Sequence, residues 1–144
     1  LAATACLVFS VPAFAATDEE CNTMWKQADA NNDGTLNGAE ATRYAAWMRV
    51  NGKGAPADSM IGKSVFMDNC KSGVFTAAAV DEGAPLEGAN SFTEGQAQDR
   101  ALAAGYTDVS MLTKDDKGIW RGTATIDGKA SKVAVDYKGN VVSN

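Results

Sequence analysis

The twelve residues from Asp29 to Glu40 constrain this chain more than any other stretch. Oxygen donors stand at the first, third, fifth, seventh, ninth and twelfth places of that run, from Asp29, Asn31, Asp33, Thr35, Asn37 and Glu40. Calcium is a hard cation that takes about six to eight oxygen ligands. On this spacing Asp29, Asn31 and Asp33 offer side-chain oxygens, Thr35 its carbonyl, Asn37 a direct or water-mediated contact, and Glu40 both carboxylate oxygens. Gly34 permits the sharp turn that wraps the chain around an ion, and Leu36 is expected to point away from it into a core. The plainer alternative is an Asn/Asp-Gly turn that caps a helix.

The flanking residues have helical period. Cys21, Met24, Trp25 and Ala28 form one stripe before the loop, and Ala41, Tyr44, Ala45 and Met48 form another between about Gly38 and Val50. A third helix is expected from about Gly62 to Lys71, with Val65, Phe66, Asn69 and Cys70 facing inward. Loop and flanks together resemble the EF-hand family, which implies a calcium site made by the six donors named above. The resemblance also implies a second hand, joined to the first at the aliphatic position of each loop. The run from Gly54 to Phe66 aligns Ile61 with Leu36 but puts Val65 where the closing acid belongs. A second alignment starting at Asp68 lacks that acid at Ala79. We therefore expect one competent loop paired with a degenerate, ion-free hand. Lanthanide-preferring relatives carry a proline and an added acid where this chain has Ala30 and Asn37.

Residues 1–15 are apolar, uncharged, and close on Ala13-Phe14-Ala15, the pattern of a secretory signal remnant. A buried N-terminal helix is the alternative. Removal of a signal takes Cys6 and leaves Cys21 and Cys70, an even pair in a chain bound for an oxidising compartment. Either they bond or they are two separate small core residues. In a paired hand the start of the first helix and the end of the last lie together, so the resemblance favours the bond. The net charge of -5 argues against a nucleic-acid partner, and nothing after the signal is apolar enough to span a bilayer.

Residues 81–90 carry Gly83, Pro85 and Gly88 with little periodicity and read as a linker between an N-terminal module, residues 17–80, and a C-terminal one, residues 91–144. In the latter, Thr93 and Gln96 make a capping box with Phe92 as staple, and the helix is expected to end near Ala104 before Gly105. Strands are expected at Val109 to Lys114, Ile119 to Ile126 and Lys132 to Tyr137, with a short edge at Val141 and Val142. Asp116-Lys117-Gly118 and Asp127-Gly128 are hairpin signals between them. The fold class is thus α+β, a helical module followed by a helix on an antiparallel sheet. Gly105-Tyr106 with Val109, Gly118-Ile119-Trp120, and Val135-Asp136 with Gly139 and Val141 resemble a PepSY-type domain. That resemblance implies a small secreted or membrane-associated module with a role in protein interaction, in some members control of peptidases.

No catalytic set emerges. Histidine is absent, the serines lack a base, and Asp115-Asp116 sits in a turn between Lys114 and Lys117. Trp120 on the covered face of a sheet reads as core. The expectation is a non-enzymatic calcium-binding protein of the bacterial periplasm or exterior, a sensor or buffer with an envelope protein as possible partner. The competing expectation is a secreted peptidase inhibitor or modulator in which calcium is only structural.

Overall fold

A computed structural model describes residues 15–76 and 79–143. The expected signal remnant lies, apart from Ala15, outside the described residues. Thr17 starts the first helix, α1 (Asp18–Ala28), through a capping box: its hydroxyl accepts from the Glu20 N–H at 3.2 Å, and the Glu20 carboxylate accepts from the Thr17 N–H at 2.8 Å. The Thr17 N–H first, and then the Thr17 hydroxyl, which donates to the same carboxylate oxygen at 2.9 Å, hold the Glu20 carboxyl below its ordinary pKa. Cys21, Trp25 and Ala28, at helical spacing, are buried. After the loop come β1 (Thr35–Leu36), α2 (Gly38–Val50), β2 (Ile61–Gly62) and α3 (Lys63–Lys71).

The two short strands pair antiparallel, with Leu36 opposite Ile61, both fully buried. This is the joint that the first alignment placed. No separate helix enters the second loop, since α2 ends at Val50 and turns lead directly to Ile61. Cys21 and Cys70 are bonded, with their α-carbons 5.8 Å apart, which fastens the first turn of α1 to the last turn of α3. Trp25 meets Phe66 edge-on at 5.2 Å, and Tyr44 and Phe75 extend the aromatic cluster around Phe66 at 5.0 and 4.9 Å. One inward assignment is corrected. The buried edge of α3 is Phe66 and Cys70, four residues apart, which rotates Val65 out to solvent at 39% exposure.

The C-terminal module has α4 (Glu94–Ala103) and a four-stranded antiparallel meander of β3 (Thr113–Lys114), β4 (Trp120–Ile126), β5 (Lys129–Val135) and β6 (Val141–Ser143). The expected capping box forms, with the Gln96 N–H on the Thr93 hydroxyl and the Thr93 N–H on the Gln96 side chain. Asp127 and Gly128 both have positive φ, so they make the two-residue turn that pairs Ile126 with Lys129. Pairing resumes immediately after so tight a turn, and β5 therefore begins three residues earlier than the hydrophobic pattern implied. It ends at Val135 because Asp136 turns the chain. β3 is shorter than expected: Thr107 bridges Thr125, Asp108 adopts positive φ, and the Ser110 hydroxyl accepts from the Thr123 N–H, so residues 107–112 follow β4 irregularly. Gly122 lets Leu112 lie on the strand, since a β-carbon there would stand 2.6 Å from a Leu112 methyl.

α4 serves both modules. Ala97 and Ala101 are buried on the sheet with Tyr106, Leu112, Ala124, Val133 and Val135. Ala103 is buried in the N-terminal core, and α2 buries Ala46 and Trp47 in addition to the expected Ala41, Ala45 and Met48. Arg49 reaches from α2 to the Asp99 carboxylate with two hydrogen bonds, of 2.7 and 2.9 Å. The stretch read as a linker is tied to the sheet end. Leu86 N–H donates to Asp136, Asp81 N–H to Asn140, and Gly88 N–H to the Lys117 carbonyl. Among the described residues no helix is long and apolar enough to cross a membrane.

Candidate metal centre

All six residues named from the spacing lie on one loop, between the end of α1 and the first turn of α2. Asp29 follows α1 and is buried at 4% exposure; its two carboxylate oxygens accept from the N–H groups of Asp33 and Gly34, each at 3.1 Å. That closes the turn from within, and Gly34 has the positive φ of 86° that the turn demands. Asn32 also adopts positive φ, at 58°, a conformation Asn tolerates better than most residues. Thr35 opens β1 opposite Gly62, so the strand pairing fixes the seventh place of the loop against β2.

Asp33 is the polar centre of the loop. Its carboxylate accepts from the Thr35 N–H and hydroxyl, both at 2.9 Å, from the Asn37 amide at 3.1 Å and from the Asn31 amide at 3.0 Å. These bonds, led by the Thr35 N–H, hold its pKa below the ordinary Asp value, so it is ionised wherever the protein is near neutral. Asn31, Asp33 and Asn37 are thereby drawn together around one carboxylate.

Glu40, in the first turn of α2, closes the loop by reaching back across it. Its Oε1 accepts from the N–H groups of Ala30 and Asn31 at 3.1 and 3.2 Å. Its Oε2 is buried and has no hydrogen-bond partner. A buried anionic oxygen without a partner is costly, and a cation is the partner that best offsets it. Among the described residues no three His, Cys, Asp or Glu side chains are already gathered as a metal-ligating group. Asp29 and Asp33 direct their oxygens to the loop's own donors. The donor set is nevertheless all oxygen, lies on a glycine-turned loop and ends in an unpaired carboxylate oxygen, and it fits a hard divalent cation. Spacing alone did not reveal the backbone donors of Ala30 and Asn31 or the orphaned Oε2, because both depend on how α2 folds back over the loop.

Asp115 has another role. It accepts from the Lys117 and Ile119 N–H groups at 2.9 Å and from Arg121 at 2.7 Å, which shapes the turn before β4; Arg121 first, then those N–H groups, keep its pKa low. Trp120 is half-buried and donates its indole N–H to the Phe92 carbonyl at 3.2 Å. Comparison with protein-family models, curated proteins and solved structures gives no match to this chain.

Proposed function

We propose that this chain is an exported calcium-binding protein of the periplasm or cell exterior, whose Asp29–Glu40 loop takes the ion and whose PepSY-like second module contacts another envelope protein. The observation that carries the reading is the Glu40 carboxylate, placed across a glycine-turned loop with its buried Oε2 unpartnered. Asp29, Asn31, Asp33, Thr35, Asn37 and Glu40 would hold calcium there, and the ion would supply the positive charge that those clustered oxygens lack. Binding asks Asn31 and Asn37 to turn their amide oxygens inward, where their NH₂ groups now meet Asp33. It asks Glu40 to offer Oε2, which no other group uses, and, for contact through both oxygens, to share Oε1 with the Ala30 and Asn31 N–H groups. The Cys21–Cys70 bond is compatible with an oxidising compartment.

Three carboxylates, two amides and one carbonyl make a ligand set of modest charge. Calorimetric titration should give a dissociation constant of about ten micromolar to millimolar for calcium, and weaker binding of magnesium. Glu40→Gln should abolish most of the heat while the fold is kept, since its amide oxygen still accepts from Ala30 and Asn31. Absence of calcium heat in the unaltered chain would overturn the reading.

A second reading, a secreted peptidase inhibitor or modulator in which the ion only braces the fold, is favoured by one observation. The disulfide fixes α1 to α3, and Arg49–Asp99 with the buried Trp47 and Ala103 fixes α2 to α4. Helices held at both sides resist the opening that a calcium sensor needs.

A further inference from the structure

A cleft of about 560 Å³ lies where the two modules meet, within the size range of small-molecule sites. Trp47 and Val50 of α2, Ile126 and Val141 of the sheet, and Arg100 and Tyr106 line it. The lining is mostly apolar, and its polar atoms are largely engaged: the Tyr106 hydroxyl, for instance, is bonded to the Ser143 hydroxyl at 2.7 Å. Arg100 is the exception. It is half-buried, yet among the described residues its guanidinium has no hydrogen bond and no carboxylate at ion-pair distance. Asp99, its neighbour in sequence, is taken by Arg49. Burial without an anion lowers the Arg100 pKa from the ordinary arginine value.

The guanidinium is also held in place. Its central carbon lies 4.3 Å over the Phe92 ring, and Gly139 packs so close that a β-carbon there would overlap it. Stacking uses the face of a guanidinium and leaves the N–H groups around its edge for a ligand. A positioned, partly desolvated cation without a counter-charge, at the side of an apolar cleft, is half of a recognition site.

We infer that this cleft binds a small amphipathic monocarboxylate, with Arg100 taking the carboxylate through paired hydrogen bonds and the apolar lining taking its hydrocarbon body. One cation matches one negative charge, and a planar fork matches a carboxylate. The chain's net charge of -5 works against more highly charged anions. The site is independent of the loop that holds Glu40.

The test is calorimetric titration of decanoate, below its micellar concentration, into the chain with a calcium chelator present, so that the outcome does not depend on calcium. Saturable one-to-one binding is expected, with decanol and decyltrimethylammonium weaker by about tenfold or more. Arg100→Met should weaken decanoate by about the same factor and leave decanol unchanged. Ala104→Trp adds bulk at an exposed residue of the cleft wall, one helical turn from Arg100, leaves the Arg100 side chain itself in place, and should weaken decanoate even if Arg100→Met fails to fold. Absence of saturable decanoate binding, equal binding of decanol, or undiminished decanoate binding in Ala104→Trp would each overturn the inference.

Discussion

Leu36 and Ile61 face one another across a two-residue antiparallel pair, each with no exposed surface, and so join a loop rich in oxygen donors to one in which Asp58 is the one carboxylate. The joint holds the middle of the Asp29–Glu40 loop in place although Ile61 offers no ligand. Ile61→Ala leaves a cavity at this point and should cost about 2–5 kcal/mol. Urea unfolding measures that loss, and titration of the same variant should show weaker calcium binding, with every ligand residue intact. An unchanged calcium constant would mean that the β2 side of the pair does not organise the Asp29–Glu40 loop.

Cys21 and Cys70 close a sequence separation of 49 residues. Breaking the bond with the double substitution Cys21→Ser, Cys70→Ser should destabilise the chain by about 2–4 kcal/mol, read from urea unfolding without reductant. The Lys71–Asp18 ion pair spans the same helices at 2.5 Å but is largely exposed, and should contribute little once the bond is gone.

Asp136 is a buried carboxylate that the sheet turn depends on. Burial pushes its pKa up, but donors from Leu86, Asn140 and Lys138 outweigh burial and leave it below the ordinary Asp value. A carboxyl depressed in the native state contributes stability that is complete above its unfolded pKa, near about 3.9, and is lost as pH falls through the lower native value. The chain should therefore lose stability below about pH 4, and Asp136→Asn should flatten that part of the profile while costing about 1–3 kcal/mol at neutral pH. Urea midpoints across acidic pH, for both forms, decide it.

Calcium should raise the melting temperature without exposing apolar surface. At about a hundred times its dissociation constant the ion adds about 2.7 kcal/mol if it binds only the folded state. A hydrophobic dye should show no gain in fluorescence, because α2 is held on α4 by Arg49–Asp99 and by buried Trp47 and Ala103. Strong dye binding on calcium addition would instead support a sensor that opens.

The features legible in the chain alone were those set by neighbours in sequence. The donor spacing from Asp29 to Glu40, the Thr93–Gln96 capping box and the Asp127-Gly128 turn each depend on backbone geometry over a few residues, and the α+β class follows from where helical and alternating periods fall. The signal-like start set Cys6 aside and narrowed the thiol question to Cys21 and Cys70, and the bond between them, with α-carbons 5.8 Å apart, answered it. Tertiary structure alone decided what depended on residues far apart. Hydrophobic period located one buried face of α2; the second, with Ala46 and Trp47, exists because α4 docks there, and a small residue such as Ala46 gives no sign of it. The exposure of Val65, the tethering of residues 81–90 to Asp136 and Asn140, the unpaired oxygen of Glu40 and the unpaired charge of Arg100 belong to the same class. Whether a polar group finds a partner is settled by packing between distant segments, and no local pattern records that packing.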